Sequence, residues 1–284
     1  MPNMVKATGR KYPEFWVQYI KQLIRKNKNF LCIITGPTGS GKSWTGLSLG
    51  KMIDPDFDLS RVIFSGKELM RLINSGELGN KKGTFLMWDE AGIDLSNRSW
   101  QSVTNKMLNF LLQTFRHRCF ILFFTTPYID FLDKQSRKLF DAEFQTIRID
   151  YKKRVVVIKP RILQYSGWMQ KFYHKQLQVI TKEDGAVPID TWGVPAPDKD
   201  FAEKYETKKK EFTSRLNKMI EEELDNFEHK KIKTKKPLTE LQQKILDLWE
   251  AGTTRQQDIA DILGKTQPQI SQNMGYLRRK GYTL

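Results

Sequence analysis

Apolar residues follow two different patterns along the first half of the chain: helical spacing in some segments and short continuous runs in others. Between residues 13 and 28 apolar residues recur every three or four positions among lysines and arginine, which predicts an amphipathic helix with a basic outer face. Short continuous apolar runs, typical of buried strands, follow at 30–35, 61–64, 84–88 and 119–125. Helical patterns lie between them at 43–52, 67–73 and 99–115. Strands that alternate with helices predict a parallel sheet covered on both faces, so the predicted fold class is α/β.

The pattern changes after residue 127. A short helix is predicted over 133–140, and two runs at 143–149 and 154–159 predict a β-hairpin. Residues 200–228 have helical composition, and the basic run at 230–236 is interpreted as a linker.

The C-terminal segment shows a second fold type. Apolar residues recur at helical spacing over 238–249 and 254–263, and Pro268 fits the first turn of a third helix that ends near Lys280. The short turn at 264–266 gives the layout of a small all-α helix-turn-helix domain. The predicted organisation is an N-terminal basic helix (1–29), an α/β domain with a hairpin extension (30–200), a charged helical linker (201–237) and the helix-turn-helix domain (238–284).

Composition and charge narrow the classes of protein. The 284 residues are 39% hydrophobic, which excludes a fully disordered chain. Lysine and arginine number 48 against 32 acidic residues, a net charge of +16 that suits a polyanionic partner, nucleic acid first; the alternative is that the lysines only keep the surface solvated. No apolar stretch approaches the roughly 20 residues of a membrane helix and no signal peptide is evident, so we expect a cytoplasmic protein without a membrane segment. Scattered cysteines and histidines argue against a His/Cys metal cluster, so any metal would be bound by oxygen.

A glycine-rich segment between the first apolar run and the next helix has the spacing of a P-loop. The segment Gly36-Pro-Thr-Gly-Ser-Gly-Lys42-Ser43 matches that pattern at every fixed position. Its glycines allow backbone N–H groups to surround a phosphate chain, with Lys42 at the β/γ-phosphates and Ser43 at Mg²⁺. The residues predicted to bind ATP are Gly36, Pro37, Thr38, Gly39, Ser40, Gly41, Lys42, Ser43 and Trp44.

The apolar run at 84–88 ends in two acids, Asp89 and Glu90. This is the pattern expected of a Walker B segment whose strand neighbours the P-loop strand. Asp89 would hold Mg²⁺ through water, and Glu90 would act as general base for an attacking water, which favours hydrolysis over binding alone. The alternative is that the two acids cap a surface turn.

Thr125 and four arginines complete the predicted site. Thr125 ends the fourth apolar run at the edge of an α/β sheet where ligands bind, so its hydroxyl either senses the γ-phosphate or only satisfies backbone groups. Candidates for an arginine that completes a neighbouring subunit's site are Arg98, Arg116, Arg118 and Arg137. Arg137 is the first choice because it follows the run that carries Thr125.

At these residues the chain resembles a known group of proteins. The P-loop, Trp88-Asp-Glu90, Asn97-Arg-Ser-Trp-Gln-Ser102 and Phe124-Thr-Thr-Pro127 ahead of Arg137 resemble zonula occludens toxin-like members of the FtsK/HerA class of viral and plasmid P-loop ATPases. The resemblance spans roughly 30–211, including the tail from Gly193-Val-Pro to Tyr205-Glu-Thr-Lys-Lys. It implies a RecA-like fold with a mainly parallel central sheet, a homo-oligomer that is commonly a hexameric ring, and the movement or packaging of DNA. The family often has glutamine where Thr125 stands here.

The third C-terminal helix carries candidate DNA contacts. Gln269, Gln272 and Asn273 share the face opposite its apolar stripe, and amides can read base edges. Arg278, Arg279 and Lys280 are predicted to meet phosphates. The segment resembles winged or sigma-like DNA-binding modules; the alternative is a trihelical module that docks a protein.

Two classes of function remain open at this point. One is an ATP-driven motor on DNA, with the C-terminal module selecting the substrate. The other is an ATP-switched replication initiator or helicase loader, in which turnover only resets binding. A nucleotide-sensing transcription regulator is a weaker third.

Overall fold

The computed structural model describes residues 4–6, 13–79, 81–90, 119–132, 134–181, 185–233 and 238–284. The predicted helix at 99–115, the segment Asn97–Ser102 and the candidates Arg98, Arg116 and Arg118 lie outside the described residues. The chain forms two compact units, 1–212 and 213–284.

The strands of the described part of the chain all belong to the first unit. In chain order they are β1 (Met4–Lys6), β2 (Phe30–Thr35), β3 (Val62–Ile63), β4 (Phe85–Trp88), β5 (Ile121–Thr125), β6 (Ala142–Asp150), β7 (Val155–Ser166), β8 (Lys171–Lys175), β9 (Leu177–Thr181), β10 (Gly185–Ile189) and β11 (Trp192–Pro195). The α-helices are α1 (Pro13–Arg25), α2 (Lys42–Ile53), α3 (Gly66–Asn74), α4 (Lys134–Arg137), α5 (Lys199–Lys233), α6 (Glu240–Glu250), α7 (Gln256–Leu263) and α8 (Gln267–Arg279).

Eight strands form the main sheet, in the order β11-β7-β6-β2-β5-β4-β3, with β8 paired to β7. Strands β6, β2, β5, β4 and β3 are parallel to one another, whereas β7, β8 and β11 are antiparallel to their partners. A mixed α/β fold with a mostly parallel central sheet is therefore confirmed. Strands β1, β9 and β10 form a separate three-stranded sheet.

The strand order corrects one expectation. Strand β5 lies between β2 and β4, because Ile121 pairs with Phe30 on one side and Phe85 on the other. The strand that precedes Asp89 therefore does not neighbour the P-loop strand. All three strands are parallel, so their carboxyl ends still lie at the same edge of the sheet.

Helices cover both faces of the main sheet, which explains why its strands are continuous apolar runs. On one face Trp16 and Ile20 of α1 and Leu47 of α2 are buried with Phe123 and Phe144. The other face packs against α3 through Leu69 and its neighbours. Helix α1 thus shares the core of the first unit, although the sequence had suggested a separate N-terminal segment.

Helix α5 also begins inside the first unit. Tyr205 is fully buried, and the ring of Phe212 stacks on Phe64 with centroids 4.6 Å apart. One face of 201–212 therefore packs into the first unit, whereas the whole of 201–237 was expected to be a solvated linker. The boundary between the units follows Phe212 within the helix.

The second unit contains the part of α5 after residue 212 and three short helices, α6, α7 and α8. Thr239 and Gln242 form a capping box at the start of α6, and Gly264 ends α7 with a φ of 60°. Its core is formed by Ile245, Ile259, Ala260, Ile270, Met274 and Leu277. A helix-turn-helix that reads DNA remains a prediction for this unit. Among all helices within the described ranges, none combines the length and the apolar character needed to cross a bilayer.

Candidate functional site

Backbone conformation and close packing require glycine in the loop between β2 and α2. Gly41 precedes α2 with a φ of 95°, and a Cβ there would lie 2.8 Å from Val156 of β7. Gly36 has a φ of 144°, and a Cβ there would lie 2.1 Å from Oγ1 of Thr146. The Ser40 and Thr146 hydroxyl oxygens are 2.6 Å apart. The β6–β7 hairpin therefore packs against the P-loop and leaves no room for a side chain at Gly36 or Gly41.

Lys42 begins α2 and turns back over the loop. Its Nζ donates hydrogen bonds to the carbonyl oxygens of Gly36, at 2.8 Å, and Pro37, at 2.9 Å. Burial lowers the pKa of this ammonium group; Asp89 opposes that effect and Lys209 adds to it. The ammonium group is thus held at the centre of the loop, where a P-loop lysine meets phosphate oxygens.

Asp89 is a buried carboxylate that accepts hydrogen bonds from several elements. The hydroxyls of Ser43, at 3.0 Å, and Thr125, at 2.6 Å, both donate to its Oδ1. Its Oδ2 accepts from the hydroxyl of Tyr205 and lies 3.5 Å from Nζ of Lys209. Asp89 therefore joins the P-loop helix, β5 and α5 at one point.

Glu90 follows in a strained backbone conformation. Its φ is 53°, and its N–H donates to Thr125 Oγ1 at 2.8 Å. The carboxylate is half-buried and pairs with Lys209, whose Nζ lies 2.7 Å from Oε1. Burial alone would lower the pKa of Lys209, but Asp89 and Glu90 outweigh it and raise that pKa. Left-handed backbone at a non-glycine residue is typical of functional sites, and here Thr125 holds it in place.

These groups open into a pocket of about 600 Å³, a volume in the usual range for small-ligand sites. The predicted residues in its lining are Thr38, Gly39, Gly41, Lys42, Ser43, Trp44, Glu90 and Thr125. The hairpin adds Ile149 and Tyr151, and α5 adds Glu206 and Lys209. The structure thus brings most of the predicted cofactor residues together around one cavity.

The donor set fits a magnesium ion bound together with phosphates. Ser43 and Asp89 supply a hydroxyl and a carboxylate in contact with each other. The described parts of the chain contain no cluster of three or more His, Cys, Asp or Glu that could hold a metal by themselves. A cation here would therefore take its remaining ligands from phosphate oxygens and water, as Mg²⁺ commonly does.

Arg137 lies outside the lining of this pocket. Its guanidinium pairs with Asp130 at 2.7 Å, and its Nε donates to the carbonyl of Leu132 at 2.9 Å. The structure describes a single chain, so a role for Arg137 at a neighbouring subunit's site stays a prediction.

In the second unit, two predicted base-reading amides are engaged in bonds of the unit itself. Gln269 Oε1 accepts from the N–H of Thr266, and Asn273 accepts from Gln242 and donates to the Gln269 carbonyl. Gln272 is exposed on α8. Among the predicted phosphate contacts, Arg278 is exposed, Arg279 donates to the Gly275 carbonyl, and the Lys280 ammonium lies 4.9 Å from the Tyr276 ring.

Tyr205 and Lys209 are site residues that the motif analysis missed. They lie 116 and 120 positions after Asp89 in a lysine-rich helix. The available signal was the spacing of Phe201, Tyr205 and Phe212, which places three aromatic residues on one helical face and predicts a buried stripe. Burial of the Tyr205 hydroxyl, and secondly the negative charge of Asp89, raise its pKa, so this residue acts as a neutral donor.

Comparison with known proteins adds little to this geometry. No protein-family model and no curated protein sequence matches the chain. Among solved structures it is similar to the N-terminal domain of zonular occludens toxin from Neisseria meningitidis, with 18% identity over 53% of this chain and 95% of that domain. The TM-score is 0.35, which is too low for this likeness to support an argument about the function of this chain.

Proposed function

We propose that this chain is a Mg²⁺-dependent ATP hydrolase that acts on DNA. The observation that supports the hydrolase most directly is the contact of Ser43 with Asp89 at the end of a P-loop, with Glu90 beside it. The P-loop N–H groups, the N-terminus of α2 and Lys42 bind the phosphates. Bound Mg²⁺ would offset charge that develops on the phosphates.

Hydrolysis requires a base near the γ-phosphate, and Glu90 is the proposed group. Its position is fixed by the bond from its N–H to Thr125. To accept a proton from water, the Glu90 carboxylate must exchange its ion pair with Lys209 for a contact with that water. Thr125 is the proposed sensor, since its hydroxyl joins Asp89 and Glu90.

DNA is the proposed macromolecular partner because the chain carries a net charge of +16 and the second unit presents Gln272, Arg278 and Arg279 on α8. We favour a ring-forming translocase or packaging motor of a virus or mobile element, working in the host cytoplasm. In such a ring Arg137 would be offered to the next subunit. Light scattering with ATP and Mg²⁺ tests for the ring: a protein that stays monomeric contradicts it.

One observation favours an ATP-switched DNA-binding protein as the second candidate. Helix α5 carries Tyr205 and Lys209 at the pocket and continues to Lys233, beyond the first unit. Rearrangement at Glu90 on nucleotide binding could thus alter this helix. A motor should show turnover stimulated by duplex DNA and directional displacement of a triplex strand, whereas a switch should show site-specific binding with slow turnover.

The decisive experiment is ATP turnover with and without duplex DNA. Lys42→Ala should abolish hydrolysis and weaken nucleotide binding, because it removes the cation at the β/γ-phosphates. Glu90→Gln should retain ATP and slow hydrolysis by roughly a hundredfold or more. Lys26→Ala, a substitution of an exposed lysine after α1, is the matched control. Wild-type turnover in Lys42→Ala would refute the hydrolase.

A further inference from the structure

The hairpin of β7 and β8 presents aromatic and basic side chains that take no part in the nucleotide pocket. Trp168, in the turn between the two strands, is 93% exposed, and the adjacent Met169 is 50% exposed. Tyr173 on β8 is 43% exposed. A tryptophan this exposed is unusual for a residue that only stabilises a fold, so the hairpin tip is a candidate contact surface.

The strand register places Tyr173 on the same face of β8 as two lysines, Lys171 and Lys175. Residues Gln164, Ser166, Lys171, Tyr173 and Lys175 share that face, because Gln164 pairs with Tyr173 and Ser166 with Lys171. Lys171, Tyr173 and Lys175 therefore alternate basic, aromatic and basic at steps of about 7 Å along the strand.

The opposite face of the hairpin is braced. The rings of Tyr165 and Phe172 pack with centroids 5.0 Å apart, and the Lys138 ammonium lies 4.4 Å from the Tyr165 ring. The face that carries Lys171, Tyr173 and Lys175 therefore belongs to a packed two-stranded hairpin. Its side chains lose less conformational entropy on binding than those of a flexible loop would.

Charge identifies the kind of partner. From Tyr151 to Thr181 the sequence contains seven lysines and arginines and no aspartate or glutamate. An acid-free basic stretch with exposed aromatic rings matches single-stranded nucleic acid, whose phosphates pair with lysine and whose unpaired bases stack on aromatic side chains. Bases inside a duplex are already stacked on one another and offer no such face.

We infer that the β7–β8 hairpin binds single-stranded nucleic acid through Trp168 in its turn and through the strand face that carries Lys171, Tyr173 and Lys175. Trp168 and Tyr173 would stack bases, and the two lysines would contact phosphates. This inference rests on the proposed action on DNA and specifies a single strand as the partner. The binding itself needs no nucleotide hydrolysis. The hairpin belongs to the first unit, whereas α8 belongs to the second.

The test measures binding of the full-length chain to a fluorescent oligothymidine and to a duplex of equal length, without nucleotide. Trp168→Ala and Tyr173→Ala should each weaken single-strand binding about tenfold, the usual effect of a lost stacking platform, and should change duplex binding less. Replacing Lys171 and Lys175 with glutamine should reduce the slope of log affinity against log salt by about 1.4, near 0.7 per phosphate contact. Met219→Ala and Lys21→Gln, at exposed positions elsewhere, should behave as wild type.

Three outcomes would overturn the inference. One is unchanged oligothymidine binding in both aromatic variants. A second is a changed oligomeric state of Trp168→Ala with unchanged binding, which would make the tip a contact between copies of the chain. The third is hairpin-dependent binding to vesicles of anionic lipid without binding to oligothymidine. The hairpin variants should keep wild-type ATP turnover without DNA, so failure of the hydrolase and failure of this surface are separate results.

Discussion

Lys209 is the residue whose role depends most on the folded structure. Its Nζ lies 2.7 Å from Glu90 Oε1 and 3.5 Å from Asp89 Oδ2, and it lines the same pocket as Lys42. Because neighbouring carboxylates raise its pKa, it stays charged at physiological pH. In the proposed nucleotide site, Lys209 on α5 is therefore a second cation, in addition to Lys42, that can contact the phosphates.

We predict that Lys209→Met weakens ATP binding about tenfold and ADP binding less. A charge-assisted hydrogen bond contributes roughly 1.5–3 kcal/mol, and only ATP carries the γ-phosphate that would lie nearest Glu90. Titration calorimetry with both nucleotides measures the difference. Lys204→Met, on an exposed turn of the same helix, is the control. Equal losses for ATP and ADP would place Lys209 in a purely structural role.

At the residue scale, local motifs could be predicted and distant partners could not. The P-loop, Asp89 and Glu90 could be predicted because each motif consists of fixed residue types within one short segment. Tyr205 reaches Asp89 across more than a hundred residues, so its contact depends on how α5 packs. Its buried aromatic stripe is visible in the sequence, but the surface that covers it is not.

At the scale of elements, continuous apolar runs predicted four strands of the parallel sheet, whereas strand order was beyond the pattern. Hydrophobicity shows that β2, β4 and β5 are buried, but it carries no information on which two are neighbours. The second sheet was missed for a related reason: β1 is three residues long and pairs with β9, far along the chain. Strand β11 ends in Pro195 at a sheet edge, where proline is tolerated.

Asp141, the residue before β6, has a carboxyl group with a raised pKa. Asp141 accepts the N–H of Leu31 at 2.9 Å, but burial dominates and raises the pKa of its carboxyl to about 6. The folded state therefore favours the protonated acid more than the unfolded state does. This carboxylate destabilises the fold above about pH 6, and that cost disappears as the pH falls towards about 4.

We predict that Asp141→Asn raises the free energy of unfolding at pH 7 by about 1–2 kcal/mol, a value that allows for the partial exposure of the carboxyl. The asparagine oxygen can still accept the Leu31 N–H. Urea unfolding at several pH values should show the gain shrinking between about pH 7 and pH 5. Glu77→Gln, at an exposed position, provides the comparison. A gain that is constant with pH would show that Asp141 titrates normally.

At the scale of the whole molecule, the sequence predicted two kinds of fold but misplaced the border between them. A change in composition at residue 200 suggested that the α/β domain ended there. The structure continues it to Phe212, because Phe201, Tyr205 and Phe212 pack into the first unit. A charged helix with one buried stripe resembles a linker in composition while acting as part of a core.

Two truncations test this border and the separation of tasks. A chain that ends at Lys236 retains every residue of the pocket, so we expect its ATP turnover without DNA to equal that of the full chain. A chain that ends at Asp198 lacks Tyr205 and Lys209 and exposes the core beneath α5, so it should lose turnover and unfold more easily. Circular dichroism melting separates loss of the fold from loss of the site. Full ATP turnover in the shorter chain would show that the α/β domain ends near residue 200, as the composition suggested.

The chain ending at Lys236 should also lose part of its affinity for duplex DNA. Removal of Arg278, Arg279 and Lys280 should lower the salt dependence by nearly one log unit of affinity per log unit of salt for each phosphate contact. Gln272 would contribute base reading, and Gln269 and Asn273 would join it if they exchange their bonds within the unit for bonds to bases. This contribution would discriminate between sequences by about 1–3 kcal/mol per bidentate pair, and it would persist at high salt. Salt titrations on specific and random duplexes separate the two contributions. Identical affinities and slopes for both chains would mean that the three helices dock a protein, and DNA action would then rest on the first unit alone.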